Sequence, residues 1–306
     1  MTQSEMTQSV LTQSVLTQSV LTQSVLTLSG KARVAGVMGW PVAHSRSPRL
    51  HGLWLARHGI DGAYVPLAVS PDHFAQALGM LSHFGFAGVN ITIPHKETAL
   101  GVVDELDDMA RRIGAVNTVI VREDGSLLGS NTDAYGFIEN LRSGASGWRA
   151  EAGPALVIGA GGAARAVIVA LLDAGAPTIL VTNRTAARAD ALCAEFGPTL
   201  TAVPWAARAA AVADVATLVN TTSLGMNGQP PLDLALDKLA TTTLVTDVVY
   251  SPLETPLLSA AKARGNPTVD GLGMLLHQAR PGFTAWFGVE PEVDDELRAH
   301  VLVDGL

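Results

Sequence analysis

Cysteine is nearly absent from this 306-residue chain, where Cys193 stands alone. That excludes an internal disulfide and any cysteine-based metal cluster, and no metal site is expected. The lone thiol suits a reducing compartment, so a cytoplasmic protein is expected, with Cys193 itself reading as a small apolar residue on a helix. Charge is sparse too, at 16% of residues with a balance of −8. No basic patch large enough for nucleic acid follows from that, and an acidic ligand must find its positive charge locally. Apolar residues make up 48%, yet glycine, proline or charge interrupts every run before about 18 residues, so no membrane span is expected. The first basic residue is Lys31, which leaves the start of the chain without the features of a secretory signal or a mitochondrial presequence. Lysine is scarce throughout: Lys31, Lys96, Lys238 and Lys262 stand against sixteen arginines.

What the chain does have begins with a repeat. Thr-Gln-Ser-Val-Leu occurs four times in tandem from Thr7 to Leu26, after one imperfect copy. A period of five turns the Val-Leu pair by about 140° per repeat on a helix and flips it between faces on a strand. Neither form gains a continuous apolar face, and residues 1–30 are predicted to be disordered or a loose helix.

The middle of the chain is organised by glycine. Residues 155–158 read as a buried strand, Gly159, Ala160, Gly161, Gly162 and Ala163 as a tight turn, and residues 167–172 as the helix behind it. Glycines let the backbone N–H groups approach a pyrophosphate at the positive end of the following helix. A second strand through Val181 leads to Asn183, Arg184 and Thr185, with Arg188 one turn on. A fold of this kind that takes NAD usually carries an acidic residue there, and one that takes NADP an arginine near the 2′-phosphate. The cofactor reading is therefore NADP; the alternative is a solvated helix start.

Around this core the pattern is that of an α/β protein. Strands are predicted at 34–38, 63–67 and 88–93, helices at 49–58, 71–84 and 98–112, and a hairpin around Asp124-Gly125 leads to a helix at 134–141. Ser45 and Ser47 precede the first helix, with Pro48 suited to its first turn. They read either as caps or as a small-anion site. Lys96 follows the strand at 88–93; in an arginine-rich chain it reads either as a solvated charge or as a group chosen because it can release a proton. Asn117 and Asp133 also fall where strands end, and Asn131-Thr132-Asp133 is a good capping sequence. Further helices are predicted at 186–196, 206–213 and 272–287, the last interrupted at Pro281-Gly282, and strands at 218–223 and 244–249.

Taken in order, these segments resemble the shikimate dehydrogenase family over nearly everything from Val34 to Gln278. The resemblance rests on Gly39 to Pro48 with its Ser-x-Ser-Pro, Asn90-Ile-Thr-Ile-Pro-His-Lys96, Ala115-Val-Asn-Thr118, Asn131-Thr-Asp133 and Gly159-Ala-Gly-Gly-Ala163. It continues through Asn183-Arg-Thr185, Asn220-Thr-Thr-Ser-Leu-Gly225 and Asp270-Gly-Leu-Gly-Met274. It implies that Lys96 and Asp133 form the catalytic pair. Ser45, Ser47, Thr92 and Tyr250 would surround a substrate carboxylate, Asn117 and Gln278 would hold ring hydroxyls, and Val248, Gly271 and Met274 would lie near the nicotinamide.

The expectation is thus a two-domain α/β protein with a cleft between the domains. Residues 31–135 with 272–306 would form the substrate-binding and catalytic domain, and 136–271 a Rossmann-like NADP-binding domain. The implied reaction is reversible reduction of 3-dehydroshikimate to shikimate, on the path to chorismate and the aromatic amino acids, by a monomer or homodimer whose partner is a small molecule. The alternatives are a paralogue acting on quinate or a related cyclitol acid, and a non-catalytic NADP(H)-binding sensor.

Overall fold

Two six-stranded sheets organise residues 28–303, the part of the chain that the computed structural model describes. The pentad repeat and the expectation attached to it lie outside the described residues. The first sheet is built from β1 (Arg33–Gly39), β2 (Gly62–Ala68), β3 (Phe86–Ile91), β4 (Glu105–Leu106), β5 (Thr118–Val121) and β6 (Leu127–Ser130). Its order is β2-β1-β3-β5-β6-β4, mixed in direction: β1 is parallel to both neighbours, while β5 runs antiparallel to β3 and β6. The second comprises β7 (Ala155–Ile158), β8 (Ile179–Thr182), β9 (Leu200–Ala202), β10 (Thr217–Asn220), β11 (Leu244–Asp247) and β12 (Thr268–Val269). It is parallel throughout, in the order β12-β11-β10-β7-β8-β9. Strands β7, β10 and β11 are buried along their whole length, as parallel strands covered on both faces must be. The strand order reverses between β7 and β10, and the crevice at their carboxyl ends is where a doubly wound sheet binds ligand.

The helices, in order, are α1 (Ser47–Arg57), α2 (Phe74–Gly79), α3 (Asp108–Ile113), α4 (Asp133–Gly144), α5 (Gly162–Asp173), α6 (Ala186–Phe196), α7 (Arg208–Ala211), α8 (Pro256–Ala263), α9 (Leu272–Phe287) and α10 (Asp295–Leu302). Helix α9 leaves the second sheet and returns to the first. There Phe283, Trp286 and Phe287 pack with Trp54 and Leu50 of α1 and with Leu297 and Val301 of α10. Trp286 Nε1 donates to the Val119 carbonyl at 3.1 Å, which locks α9 onto β5. Helices α4 and α9 touch closely because glycine stands at the contact. A Cβ on Gly136 would lie 2.6 Å from Gln278 Cβ, and one on Gly273 would overlap the Asn140 amide oxygen.

Four sequence expectations are corrected here. The helix expected at 98–112 is a 3-10 turn at Thr98–Gly101, the short β4 and then α3. Asp104 accepts from the Leu127 N–H, β4 pairs with β6, and Asp107 accepts from the Ala110 N–H to start a new helix. Those three captures outweigh local helix propensity. The helix expected at 71–84 stops at Gly79, after which turns lead to Gly85 at φ +69°. That expected at 206–213 shrinks to a 3-10 turn at Trp205–Ala207 and α7. Conversely, α9 runs unbroken through Pro281, whose ring lies on the exposed face, away from the packed side of the helix.

Candidate active site

The carboxyl ends of β1, β3 and β11 and the starts of α1, α4 and α9 converge on a cavity of about 170 Å³, suited to one small ring rather than a drug-sized ligand. Ser45, Ser47, Thr92, Lys96, Asn117, Asp133, Tyr250 and Gln278 all line it. So do Ala163, Val248, Gly271 and Met274, which reach it from the opposite side.

The centre is an ion pair. Lys96 Nζ donates to Asp133 Oδ2 at 2.5 Å, with the lysine side chain 19% and the aspartate 6% exposed. Lys96 is carried by the segment after β3 and held from both sides. Its carbonyl accepts from the Val116 N–H, while the preceding His95 stacks on Phe74 and bonds the Val69 carbonyl at 2.7 Å. Asp133 opens α4 without capping it: its second oxygen accepts from Asn117 Nδ2 at 2.8 Å, and its own N–H donates to Asn131 Oδ1. The capping alternative for Asp133 therefore gives way, with Asn131 meeting the helix start instead.

Asn117 is the hub of the polar wall. Its oxygen accepts from the Thr132 N–H at 2.9 Å, which fixes its amide, and its nitrogen also reaches Gln278 Oε1 at 3.2 Å. Gln278 projects from α9 and donates to the Leu275 carbonyl. At the other end, Ser45 Oγ accepts from the Ser47 N–H at 3.3 Å, no side chain caps α1, and both serines face the cavity. Burial pushes the Tyr250 phenol up, so it remains a proton donor through neutral pH, with the Arg46 cation nearby.

On the far side, Gly159 ends β7 at φ +120°, where a Cβ would overlap the Thr221 hydroxyl at the end of β10. Ala160 is buried beneath the turn, and the space around Gly161 at the start of α5 is open. Gly162 lies against the lysine: a Cβ there would be 3.4 Å from Lys96 Cδ. Asn183 donates to the Thr185 carbonyl at 3.0 Å, which folds the turn after β8 back on itself. Arg184, Thr185 and Arg188 are exposed there, and neither arginine has an ion-pair partner among the described residues.

Two residues escaped the sequence reading. Asn90 also lines the cavity. Its signal was the strand alternation that places it on the same face as Thr92, two positions on. Asp247, at the end of β11, is buried and accepts from Asn220 Nδ2, the Val249 N–H and the Thr255 hydroxyl. It thereby ties β10 and the start of α8 to the loop that carries Val248 and Tyr250. Nothing in the sequence distinguishes it from an ordinary strand-end carboxylate.

Burial pushes the Asp247 carboxyl up to about 6, against its three hydrogen bonds. The folded protein then binds this proton more tightly than the unfolded chain, whose aspartates titrate near 3.9. Its contribution to stability is complete below about pH 4 and is lost as pH rises through about 6, by up to about 3 kcal/mol. Thermal denaturation of the wild type and Asp247→Asn should therefore show the wild type losing ground against the variant between about pH 4 and 6. A constant difference across that range would contradict the assignment.

A lysine–carboxylate pair in a cleft, facing a doubly wound parallel sheet with a glycine turn at its switch point, defines the class: a nucleotide-dependent oxidoreductase of two α/β lobes. Comparison with known proteins agrees. Residues 37–119 match the model of the shikimate dehydrogenase substrate binding domain, and residues 147–225 that of shikimate / quinate 5-dehydrogenase. The chain is 62% identical to the shikimate dehydrogenase (NADP(+)) of Paramagnetospirillum magneticum, over 90% of this chain and 100% of the relative. Among solved structures, it resembles shikimate 5-dehydrogenase from Thermus thermophilus in complex with NADP(H) and shikimate (39% identity, TM-score 0.78, covering 88% of this chain and 98% of that one). It also resembles quinate dehydrogenase from Corynebacterium glutamicum in complex with NAD (31% identity, TM-score 0.82, covering 89% and 99%). The chain belongs to the shikimate dehydrogenase family. Among the described residues no helix is long and apolar enough to cross a membrane, and no cluster of metal-ligating side chains occurs.

Proposed function

We propose that this chain catalyses the NADP-dependent, reversible reduction of 3-dehydroshikimate to shikimate, in the cytoplasm and as a monomer or homodimer. The observation that carries the reading is the Lys96–Asp133 pair set between two kinds of polar wall. Ser45, Ser47, Thr92 and Tyr250 suit a carboxylate, and Asn90, Asn117 and Gln278 suit ring hydroxyls. A site built to bond hydroxyls discriminates strongly against analogues that lack them. In this reading residues 31–135 with 272–306 bind substrate and carry the chemistry, and 136–271 bind NADP.

The residues at the second sheet fit the cofactor. The open space at Gly161 and the free N–H groups opening α5 suit a pyrophosphate, and Arg184 and Arg188 suit a 2′-phosphate. Asn183 and Thr185 would shape that turn, while Ala163, Val248, Gly271 and Met274 would border the nicotinamide. Bound NADPH supplies the hydride for the carbonyl carbon. Lys96 then delivers a proton to the carbonyl oxygen and recovers it in the reverse direction. Asp133 holds Nζ in place and accepts from the neighbouring ring hydroxyl, while Asn117 steadies Asp133 from behind.

Initial rates with shikimate or quinate, each offered with NADP⁺ or NAD⁺, test the reading; rapid turnover is expected only with shikimate and NADP⁺. Preference for quinate would favour the second reading, which the likeness to a quinate dehydrogenase supports. NADPH binding without turnover of either acid would point to a sensor, against which the assembled Lys96–Asp133 pair speaks. Replacing Arg184 and Arg188 together by alanine should raise the KM for NADP⁺ at least about tenfold, the worth of one charge-assisted hydrogen bond, with little change for NAD⁺. Equal effects on both cofactors would assign the arginines to the surface.

A further inference from the structure

Helix α3 ends at Ile113, with Gly114 in the left-handed region at φ +68° and its N–H closing on the Ala110 carbonyl. The Ile113 carbonyl is then one of the acceptors that a helix end leaves without an internal partner. A side chain from the second sheet supplies the donor. Arg165, in the first turn of α5, donates through Nε to the Ile113 carbonyl and through Nη2 to Glu195. Phe196 braces the planar guanidinium, its ring centroid 5.4 Å away, and only 15% of the arginine side chain is exposed. The approach needs glycine, since a Cβ on Gly114 would overlap the guanidinium. Both ends of this contact lead to the cavity. The Arg165 N–H donates to the Gly161 carbonyl at 3.0 Å, so its backbone belongs to the glycine turn that opens α5. Ile113 begins a segment, residues 113–117, that is bonded around Lys96 and Asp133. There the Val116 N–H donates to the Lys96 carbonyl at 2.8 Å, and the Ala115 carbonyl accepts from Asn131 Nδ2 at 2.8 Å. Asn131 in turn accepts from the Asp133 N–H, and Asn117 donates to the Asp133 carboxylate.

We propose that Arg165 is a positioning residue that couples occupation of the glycine turn by the cofactor's pyrophosphate to the setting of Lys96 and Asp133 for the substrate; this rests on the NADP and shikimate reading above. A pyrophosphate held at the turn fixes the first turn of α5, and with it the root of the Arg165 side chain. The guanidinium, braced on Phe196 and Glu195, then holds residues 113–117 in one place, and those residues hold the lysine and the aspartate. Each ligand meets a protein that the other has already partly ordered, so each raises the other's affinity by the same factor. Arg112 provides the contrast. It pairs with Asp173 at the far end of α5 at 2.6 Å, both side chains being half-exposed, and so joins the same two helices without touching the glycine turn.

The test is calorimetric titration of shikimate with and without saturating NADPH, a pair that cannot react, in the wild type, Arg165→Met and Arg112→Ala. Methionine keeps an unbranched apolar stem over Phe196 and removes the donors, and the melting temperature checks the fold. In the wild type NADPH should tighten shikimate at least about fivefold, the lower end of ordinary coupling between sites. In Arg165→Met that factor should fall below about twofold, while the affinity for each ligand alone stays within about threefold. Arg112→Ala should keep the wild-type factor, since it removes only an exposed ion pair. An unchanged factor in Arg165→Met, an equal loss in Arg112→Ala, or no tightening in the wild type would overturn the coupling. Failure of the wild type to bind shikimate at all would instead remove the functional reading and the coupling with it. A second measurement begins with the wild type alone: amide hydrogen exchange with NADPH and no shikimate. Exchange across residues 113–117 should slow, and an unchanged rate there would overturn the proposal. Slowing that persists in Arg165→Met would belong to closure of the cleft and would overturn it as well.

Discussion

Lys96→Ala should lower turnover of 3-dehydroshikimate by at least about a hundredfold while the KM changes little. Lys96 lines the cavity, and in the mechanism proposed above it is the acid; general acid–base help of this kind is worth about 10²–10⁴ in rate. Its loss would be felt in the transition state, where the carbonyl oxygen takes up charge, and hardly in the ground state, where the serines and asparagines hold the ligand. Asp133 keeps the Asn117 hydrogen bond when the lysine is removed, so the aspartate is not stranded and the fold should survive. Lys96→Arg separates charge from proton transfer, because arginine restores a cation beside Asp133 but does not give up its proton near neutral pH. Its turnover should stay close to that of the alanine variant. Initial rates at saturating substrate decide the matter, and near-normal turnover in either variant would remove the lysine from the mechanism.

Gly136→Val should be nearly as damaging without touching any reacting atom. At Gly136 the α4 backbone rests directly on α9, and a Cβ would lie 2.6 Å from Gln278 Cβ and 2.7 Å from the Met274 carbonyl oxygen. Helix backbones cannot yield there as a side-chain tip would, so a branched side chain must push the two helices apart. Overpacking of this kind costs about 1–3 kcal/mol, and displacements near 1 Å at a reacting centre cost about a hundredfold in rate. Asp133 begins α4 and Gln278 projects from α9, so the same wedge moves two residues that line the cavity together. Gly52→Val is the control, since α1 is open within 4 Å of that position. Thermal denaturation and initial rates should both fall sharply for Gly136→Val alone; equal behaviour of the two variants would mean that the helix contact tolerates separation.

Much of this site was legible because parallel strands leave chemistry at their ends. Buried strands read as apolar runs, and the residues just outside them, Lys96 after β3, Asn117 before β5, Asp133 after β6 and Gly159 after β7, stand out against that background. Order along the chain then made the family resemblance specific. Asn90 stayed hidden within a strand, where an asparagine reads as a tolerated polar residue until its hydrogen-bond partners are known. Asp247 stayed hidden because its importance lies in what it ties together across three segments, which no single stretch records. The broken helix at 98–112 failed for the reverse reason: its residues favour helix locally, and only the pairing of Glu105-Leu106 with β6 reveals the competing form. Pro281 is tolerated because its ring falls on the exposed face of α9, and which face a residue takes is a property of packing rather than of local sequence.

Among the described residues the chain passes between its two sheets only through α4 and α9, and these helices lie against one another. Any rotation of one lobe on the other therefore has its hinge along that seam, the few segments that cross being the natural axis. Asp133 and Gln278 sit on the hinge itself, so opening the cleft hardly disturbs them. The exposed turn at Arg184 and Arg188, after β8, lies in the other lobe and so moves with the opening. Under the function proposed above the protein is thus like a door whose lock is mounted on the hinge post: Lys96 and Asp133 would stay set while the opening swings.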